Sequence, residues 1–236
     1  MRSTTSRNPV PKDQTPMNRL LSRHAPYIFI AVAMAATPGP GVGQTILSNV
    51  EIEALIRSRV EEGRAVGIVI GVLEADGSTR VVSYGEAGPG AEPLTSRSVF
   101  EIGSITKVFT GTLLADMVAR GEVSLGDPVV EYLPKGVTMP ARAGREISLV
   151  DLATHRSGLP RLPDNLVPRD MSNPYADYTF ALMYEFLSEH ELRRDIGSEF
   201  EYSNLGVGLL GHVLARHAET DYETLVRERV FEPLGM

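Results

Sequence analysis

Cysteine is absent from the 236-residue sequence, which excludes disulfide bonds, thiolate metal sites and a cysteine nucleophile. Tryptophan is also absent and aromatic residues make up only 6% of the chain, so no aromatic stacking platform is indicated. The net charge of −7 argues against a nucleic-acid partner, which normally requires a basic face. No apolar run is long enough to cross a bilayer stably. Lysine occurs only three times, so a lysine in an apolar segment needs an explanation.

The first 36 residues have the pattern of a secretory signal peptide. Basic residues precede the apolar run Tyr27–Ala36, and a Pro/Gly-rich stretch follows it. We predict a signal peptide at residues 1–36, a linker at 37–45 and a periplasmic or secreted protein. Removing five basic residues and one acidic residue with this segment takes the net charge from −7 to −11. A disordered tail before a short core helix is the alternative.

Hydrophobic periodicity predicts one domain, residues 46–236, with a helix, a β-hairpin and then a helix-rich stretch. The strands are predicted at 66–73 and 79–84, joined by an Asp76-Gly77 turn. A hairpin is not stable alone, so it is expected to join a larger sheet. The predicted fold class is α/β (α+β), an antiparallel sheet packed with helices plus a helical subdomain. Helices are predicted at 46–62, 104–120, 128–132, 148–153, 179–188, 205–217 and 222–230, with a long loop at 160–176.

Ser104 and Lys107 stand three positions apart at the start of the predicted helix 104–120. Residues at i and i+3 share a helix face, so the hydroxyl and the amine can lie within hydrogen-bond reach. A lysine amine kept dry by neighbours such as Ile105 and Val108 can act as the base that a serine nucleophile needs. The structural alternative is that Ser104 caps the helix while Lys107 extends to water.

Tyr202 and Asn204 stand two positions apart, just before an apolar helix. In an extended segment such side chains point the same way, so the phenol and the amide are expected to face one cavity. A tyrosine near cations can relay a proton, and an asparagine amide can both donate to and accept from a substrate amide. The alternative is an ordinary turn in which Ser203 and Asn204 cap the helix.

The histidines give weaker signals. A lone histidine near a turn, such as His155, is more often a hydrogen-bonded scaffold residue than a ligand, and we interpret it so. His212 and His217 share a helix but lack a nearby set of carboxylates, so no metal site is predicted.

Several segments, in order, resemble the class C β-lactamase family, which also includes D-alanyl-D-alanine carboxypeptidases and related serine esterases. They are FEIGSITKVFTG, LADMVARGEVSLGDPVVEYLP, DLATHRSGLP, YSNLGVGLLGHVL and VFEPLGM, and the likeness runs from about residue 66 to 236. The resemblance implies a β-lactamase/transpeptidase-like fold with its site between sheet and helical subdomain. It also implies that Ser104 is the acylated nucleophile, Lys107 its proton acceptor and Tyr202 the base or proton relay. Asn204 would bind the substrate's carbonyl side chain.

The activity implied by the resemblance is that of a serine hydrolase forming an acyl-enzyme, most directly with a β-lactam amide. D-Ala-D-Ala peptidases and small-ester hydrolases share the same motifs, so the small-molecule substrate is a β-lactam or a D-amino-acid peptide or ester. A non-catalytic penicillin-binding homologue and an inactive fragment are the alternatives. No cofactor or metal is implied, and neither nucleic acid nor a stable membrane span in the mature chain is expected.

The family's third motif, K-T-G or H-T-G on a late strand, occurs nowhere in the sequence. The nearest string, Phe109-Thr110-Gly111, lacks the cation and lies in a predicted helix. We therefore expect the chain to be the N-terminal part of a longer enzyme and to be inactive alone. Class A relatives carry S-D-N and an acidic E-x-x-L-N segment, whereas Y-S-N in this chain resembles class C.

Overall fold

Two structural units follow each other along the chain and divide between Arg97 and Ser98. The computed structural model describes residues 47–88 and 90–236, so the predicted signal peptide at 1–36 and linker at 37–45 lie outside the described residues. Within the described part, no helix is long and apolar enough to cross a membrane. Among those same residues, no group of three or more histidine and acidic side chains could hold a metal ion.

The first unit is a helix packed on a β-hairpin. Helix α1 (Asn49–Glu61) begins at a capping box, in which the Ser48 amide donates to Glu51 Oε2 at 2.8 Å. Strands β1 (Gly67–Leu73) and β2 (Thr79–Gly85) pair antiparallel, as predicted, and Asp76 accepts hydrogen bonds from Ser78 in the turn between them. The small core of this unit combines one face of the helix with one face of the hairpin, and it contains Ile52, Ile56, Ile68, Ile70, Val72, Val82 and Tyr84.

The second unit is helical. Its α-helices are α2 (Thr106–Ala119), α3 (Leu149–Ala153), α4 (Phe180–Glu189), α5 (Asn204–His217), α6 (Tyr222–Val226) and α7 (Glu232–Leu234). Short 3₁₀ turns lie at Gly103–Ile105 and Val129–Tyr132, and a π turn at Arg227–Phe231 joins α6 to α7. Every predicted helix of this unit is present.

Three of the predicted helix boundaries differ from the structure by two or more residues. Helix α1 begins at Asn49, later than the predicted start at 46. The last helical segment continues through the π turn to Leu234, beyond the predicted end at Val230. The helix predicted from Ser104 starts with a 3₁₀ turn, and α2 itself begins at Thr106. Gly103, the residue before the predicted start, has a φ of 52°, in the left-handed region that favours glycine, so the right-handed helix does not extend back through it.

Helix α5 is the centre of the second unit. It is buried on almost every side, which is typical of a core helix, and its fully buried residues include Leu209, Leu210 and Val213. Helices α2, α3 and α6 all contact it. From α2 it is met by Leu113, Leu114 and Met117, which belong to the same hydrophobic core. The packing of α2 against α5 brings together two parts of the chain that carry the candidate site.

Candidate active site

The serine and the lysine meet at the start of α2. Ser104 lies in the 3₁₀ turn and its side chain is exposed, while Lys107 lies in the first turn of α2 and is half-buried. The Lys107 Nζ donates a hydrogen bond to Ser104 Oγ at 3.2 Å. Neither the 3₁₀ turn nor α2 has a side-chain cap at its start. The alternative that Ser104 is only a helix cap is therefore wrong.

The dry surroundings expected around this pair are not those observed in the described residues. Ile105 is 58% exposed and Val108 is 63% exposed. The buried face of α2 is instead formed by Thr110, Leu113 and residues further along the helix. Because successive helix residues are turned by about 100°, Val108 and Thr110 point in nearly opposite directions. Lys107 thus lies at the edge of the apolar face rather than within it.

Tyr202 completes a three-residue cluster with Ser104 and Lys107. Its phenolic oxygen lies 2.5 Å from Ser104 Oγ, and Lys107 Nζ lies 4.9 Å from the centre of its ring. Hydrogen bonds from Lys107 and Ser104 lower the pKa of Tyr202, and the positive charges of Lys107 and Arg161 lower it further. The Arg161 guanidinium lies 5.3 Å from the ring centre. The anionic, proton-accepting form of Tyr202 is therefore stabilised.

Ser203 caps helix α5 and fixes its two neighbours. Its Oγ accepts a hydrogen bond from the Gly206 amide at 2.8 Å and donates one to the Pro160 carbonyl at 2.7 Å. The Asn204 amide donates to the Arg161 carbonyl at 3.0 Å. The capping interpretation of this segment thus holds for Ser203, and it leaves the side chains of Tyr202 and Asn204 available on either side.

Asn204 is the first residue of α5 and lies beside the reactive cluster. Its Oδ1 atom is buried and has no hydrogen-bond partner among the described residues. A buried acceptor without a partner is costly, because it has lost its hydrogen bonds to water. Asn204 also lines a cavity of about 650 Å³ together with Ser104 and Lys107. Asn204 therefore combines a place in the cavity wall with an unsatisfied side-chain oxygen.

The remainder of the cavity wall comes from α5 and from the long loop. Gly208 and Gly211 form part of the α5 wall, and Tyr175 comes from the predicted functional loop at 160–176. That loop is attached to α4 by Asn165, whose Nδ2 donates a hydrogen bond to the Leu182 carbonyl at 2.8 Å. Phe180 completes this side of the cavity and stacks on His212. The cavity therefore has an apolar wall with the serine, lysine and asparagine grouped in it.

The half-buried side chain of His212 stacks on Phe180 and hydrogen-bonds to Tyr184. Its ring stacks on Phe180 at 3.9 Å, and its Nε2 lies 2.5 Å from the hydroxyl of Tyr184. Burial lowers the pKa of His212 to about 4, and the charge of Arg216 adds to this effect. The half-buried ring of His212 is therefore neutral at neutral pH.

His155 contacts the site, which the sequence interpretation as a scaffold residue did not anticipate. Its ring lies 4.7 Å from the Tyr202 ring, and its Nδ1 accepts a hydrogen bond from the Ser203 amide at 3.0 Å. The scaffold interpretation was correct about the hydrogen bonding but missed the partner. Nothing local in ATHRSGLP indicates which residues, 48 positions later, this side chain meets.

The site thus groups a serine at the start of a helix with a lysine and a tyrosine whose polar atoms both contact its hydroxyl. This is the kind of arrangement that can activate a serine as a nucleophile. A model described as Beta-lactamase matches residues 52–236, and the chain belongs to the β-lactamase family. This confirms the predicted family, and with it the predicted α/β fold class, because solved members share the fold.

The relatives include both proteins named as D-alanyl-D-alanine carboxypeptidases and proteins named as β-lactamases. D-alanyl-D-alanine-carboxypeptidase/endopeptidase AmpH of Escherichia coli K12 is 38% identical over 176 residues, covering 73% of this chain and 44% of the relative. A beta-lactamase of Providencia stuartii is 28% identical over 210 residues, covering 89% and 50%. Among solved structures, a beta-lactamase/D-alanine carboxypeptidase from Yersinia pestis is 31% identical with a TM-score of 0.65, covering 80% of this chain and 55% of that chain. A class C beta lactamase from Rhodobacter sphaeroides is 32% identical with a TM-score of 0.63, covering 80% and 50%. The chain thus spans about half the length of the relatives it matches.

Proposed function

We propose that the protein is a serine hydrolase that is acylated on Ser104, and that a β-lactam amide is its substrate. The observation that carries this proposal is the convergence of the Tyr202 phenol, at 2.5 Å, and the Lys107 amine, at 3.2 Å, on one exposed serine hydroxyl. An unaided serine is a poor nucleophile, and two groups that can accept its proton are the activation it requires.

In the first half of the reaction, Ser104 Oγ attacks the substrate carbonyl carbon. Its proton passes to the Tyr202 oxygen or the Lys107 nitrogen, which both lie within hydrogen-bond reach of Ser104 Oγ. The carbonyl C–N bond then breaks, and the leaving nitrogen takes that proton. Water attacks the resulting ester along the same route, and Ser104 regains its proton when the acid leaves. The backbone N–H of Ser104 is one donor to the developing oxyanion.

Asn204 would orient the substrate. Its partnerless Oδ1 can accept an N–H from the acylamino side chain of a β-lactam or from a peptide, and its amide group can donate to the carbonyl beside it. The cavity that contains Asn204 also contains Ser104, so a substrate amide held there lies next to the nucleophile.

A D-Ala-D-Ala peptidase is the second candidate, and one observation favours it. The relative with 38% identity bears a D-alanyl-D-alanine-carboxypeptidase/endopeptidase name, while the Providencia beta-lactamase is 28% identical. Small-ester hydrolysis would use the same cluster. Turnover of a chromogenic cephalosporin, release of D-alanine from a peptide ending in D-Ala-D-Ala, and hydrolysis of an aryl ester compare the three substrates directly. A non-catalytic penicillin binder would show a single stoichiometric event with the cephalosporin.

The proposal is tested by covalent labelling of Ser104. In a form of the protein that spans the full length of its relatives, which is also the form for the kinetic measurements, a β-lactam or a fluorophosphonate should add to this residue. Ser104→Ala should abolish both labelling and turnover while the protein stays folded. The internal controls are Ser157 and Ser203, which are both 1% exposed and hydrogen-bonded to the backbone. Peptide mapping that placed the adduct on either of them would overturn the assignment.

We also propose that the protein is exported to the periplasm or secreted. Support comes from the basic, apolar and small-residue order of the first 36 residues. Cell fractionation, with sequencing of the N-terminus of the exported protein, tests this. An N-terminus close to Ala35 is expected, and an uncleaved protein in the cytoplasmic fraction would contradict it.

A further inference from the structure

The backbone on both sides of Tyr202 is held by a single residue. The amide of Glu201 donates to the His155 carbonyl at 2.8 Å, and the amide of Ser203 donates to His155 Nδ1 at 3.0 Å. In an extended segment, the N–H groups of residues i−1 and i+1 point to the same side. Two bonds from one partner therefore fix the direction in which the residue between them, Tyr202, projects.

The imidazole ring makes a second contact with the same segment. Its centre lies 4.7 Å from the Tyr202 ring with an interplanar angle of 36°, and 5.5 Å from the Phe200 ring at 81°. Such separations and angles are typical of favourable aromatic pairs. The ring of His155 is thus fitted against two side chains of one strand-like segment, and a tilt of this ring would move the phenol of Tyr202.

The backbone of His155 is adapted to this position. Its φ is 58°, in the left-handed region that is uncommon for residues other than glycine and in which histidine, asparagine and aspartate are the most frequent of them. The next residue, Arg156, continues the attachment, since its carbonyl accepts from the Gly197 amide at 2.8 Å. A strained backbone conformation kept beside a reactive cluster indicates that the surrounding contacts determine it.

Only one protonation state of His155 is compatible with these contacts. Nδ1 accepts a hydrogen bond, so it carries no proton, and the neutral ring has its proton on Nε2. The charged groups around it are Lys107 from α2, Arg161 beside the Tyr202 ring, and Glu201, which is paired with Arg194. Burial lowers the pKa of His155, and the positive charge of Lys107 lowers it further.

We propose that His155 is the positioning residue of Tyr202, and that it holds the phenol on Ser104 only while its imidazole is neutral. This inference rests on the proposed function, because it assigns a role in the same site. Protonation at Nδ1 would break the bond to the Ser203 amide and place a further cation beside Lys107 and Tyr202. The phenol of Tyr202 would then no longer be held on Ser104, while Ser104 itself, which lies in the 3₁₀ turn before α2, stays in place.

Two substitutions separate the hydrogen bond from the ring. His155→Asn keeps an acceptor near the position of Nδ1 and suits the left-handed backbone. The asparagine amide does not titrate, so this variant has no protonated form. His155→Phe keeps a ring but has no acceptor. We expect His155→Phe to lower kcat by about 10²-fold with a small change in KM, as a misplacement of about 1 Å at a reacting group does. His155→Asn should recover most of kcat and lack one acid-side ionisation of the kcat profile.

Nitrogen NMR of the imidazole provides a measurement that does not depend on the variants. In the parent protein, His155 should appear as the Nε2–H tautomer and titrate below the ordinary value of 6.5. Parental kcat and an unchanged pH profile in both variants, with Ser104 still labelled, would overturn the positioning role and leave the proposed function intact. An Nδ1–H tautomer at neutral pH would also overturn it. An unlabelled Ser104 in the parent would instead overturn the proposed function, and the tautomer would still decide the hydrogen bond.

Discussion

The phenolic oxygen of Tyr202 lies 2.5 Å from the hydroxyl oxygen of Ser104, although the two residues are 98 positions apart in the chain. One is carried by the turn that starts α2, and the other precedes the first residue of α5. The contact therefore depends on how these two helices pack, and it joins the two sequence motifs into one chemical unit with Lys107.

The role of Lys107 as a base can be tested by replacing it with arginine. A guanidinium keeps the positive charge but stays protonated, so it cannot accept the Ser104 proton. We expect Lys107→Arg to lower the rate of Ser104 acylation nearly as much as Lys107→Ala, by about 10²–10⁴-fold. Stopped-flow acylation by a chromogenic cephalosporin measures both. An active Lys107→Arg enzyme would show that the lysine acts only through its charge.

The lowered pKa of Tyr202 predicts a distinct ionisation. Because the folded protein stabilises the phenolate, Tyr202 should lose its proton below the ordinary pKa of 10. Activity that uses Tyr202 as a base should therefore rise as pH increases through this lowered pKa, before pH 10 is reached. Ultraviolet difference titration should show this early step, which Tyr202→Phe removes. Tyr178→Phe is the matched control, because burial raises the pKa of Tyr178 to about 12. Loss of the early step in the control instead would contradict the assignment.

Two glycines of α5 should respond oppositely to alanine. A Cβ at Gly211 would lie 2.9 Å from Cε2 of Tyr222, whose ring is held by a 2.7 Å hydrogen bond to Thr110. A Cβ at Gly208 would have no atom within 4 Å. Gly208→Ala should therefore stabilise the helix by up to about 1 kcal/mol, while the clash in Gly211→Ala should give a net loss of about 1–2 kcal/mol. Calorimetric melting compares the two, and equal shifts would disprove the Tyr222 contact.

The low pKa of His212 predicts a loss of stability in acid. The folded state keeps this histidine neutral, whereas the unfolded chain binds a proton at about 6.5. The stabilisation is therefore fully present above pH 6.5 and decreases as pH falls from 6.5 to about 4. His212→Gln keeps a group that can hydrogen-bond to Tyr184. In this variant the melting temperature should depend less on pH between 6.5 and about 4 than in the parent protein. A slope identical to that of the parent protein would show that other groups cause the acid sensitivity.

The hairpin and the helices were predictable because their signals are local. The Asp76-Gly77 turn fixes the hairpin, and apolar residues at helical spacing identify α5. The start of α2 was misplaced by two residues, because Ser104 and Ile105 form a 3₁₀ turn that hydrophobic spacing does not distinguish from an α-helix. Hydrophobic periodicity predicts which residues share a face of a helix, but it does not predict where an α-helix changes to a 3₁₀ turn.

The site residues were predictable as types, but their surroundings were not. The S-x-x-K and Y-S-N spacings select Ser104, Lys107, Tyr202 and Asn204, and the structure gathers all four around one cavity or its edge. The expected burial of Ile105 and Val108 failed, because helix orientation depends on long-range packing. The role of His155 was missed for the same reason: its partners are 46 to 48 positions away and the connecting chain carries no local signal.

The two halves of the site also become available at different times during synthesis. Ser104 leaves the ribosome 98 residues before Tyr202, a delay of roughly 5–20 s at about 5–20 residues per second. Throughout that interval the nascent chain carries a serine without its phenol partner. In the proposed mechanism, Ser104 would be activated only after Tyr202 has been made and the Ser203 amide has bonded to His155. The serine hydroxyl is thus synthesised early, and it meets the phenol that would activate it only after the later segment has folded.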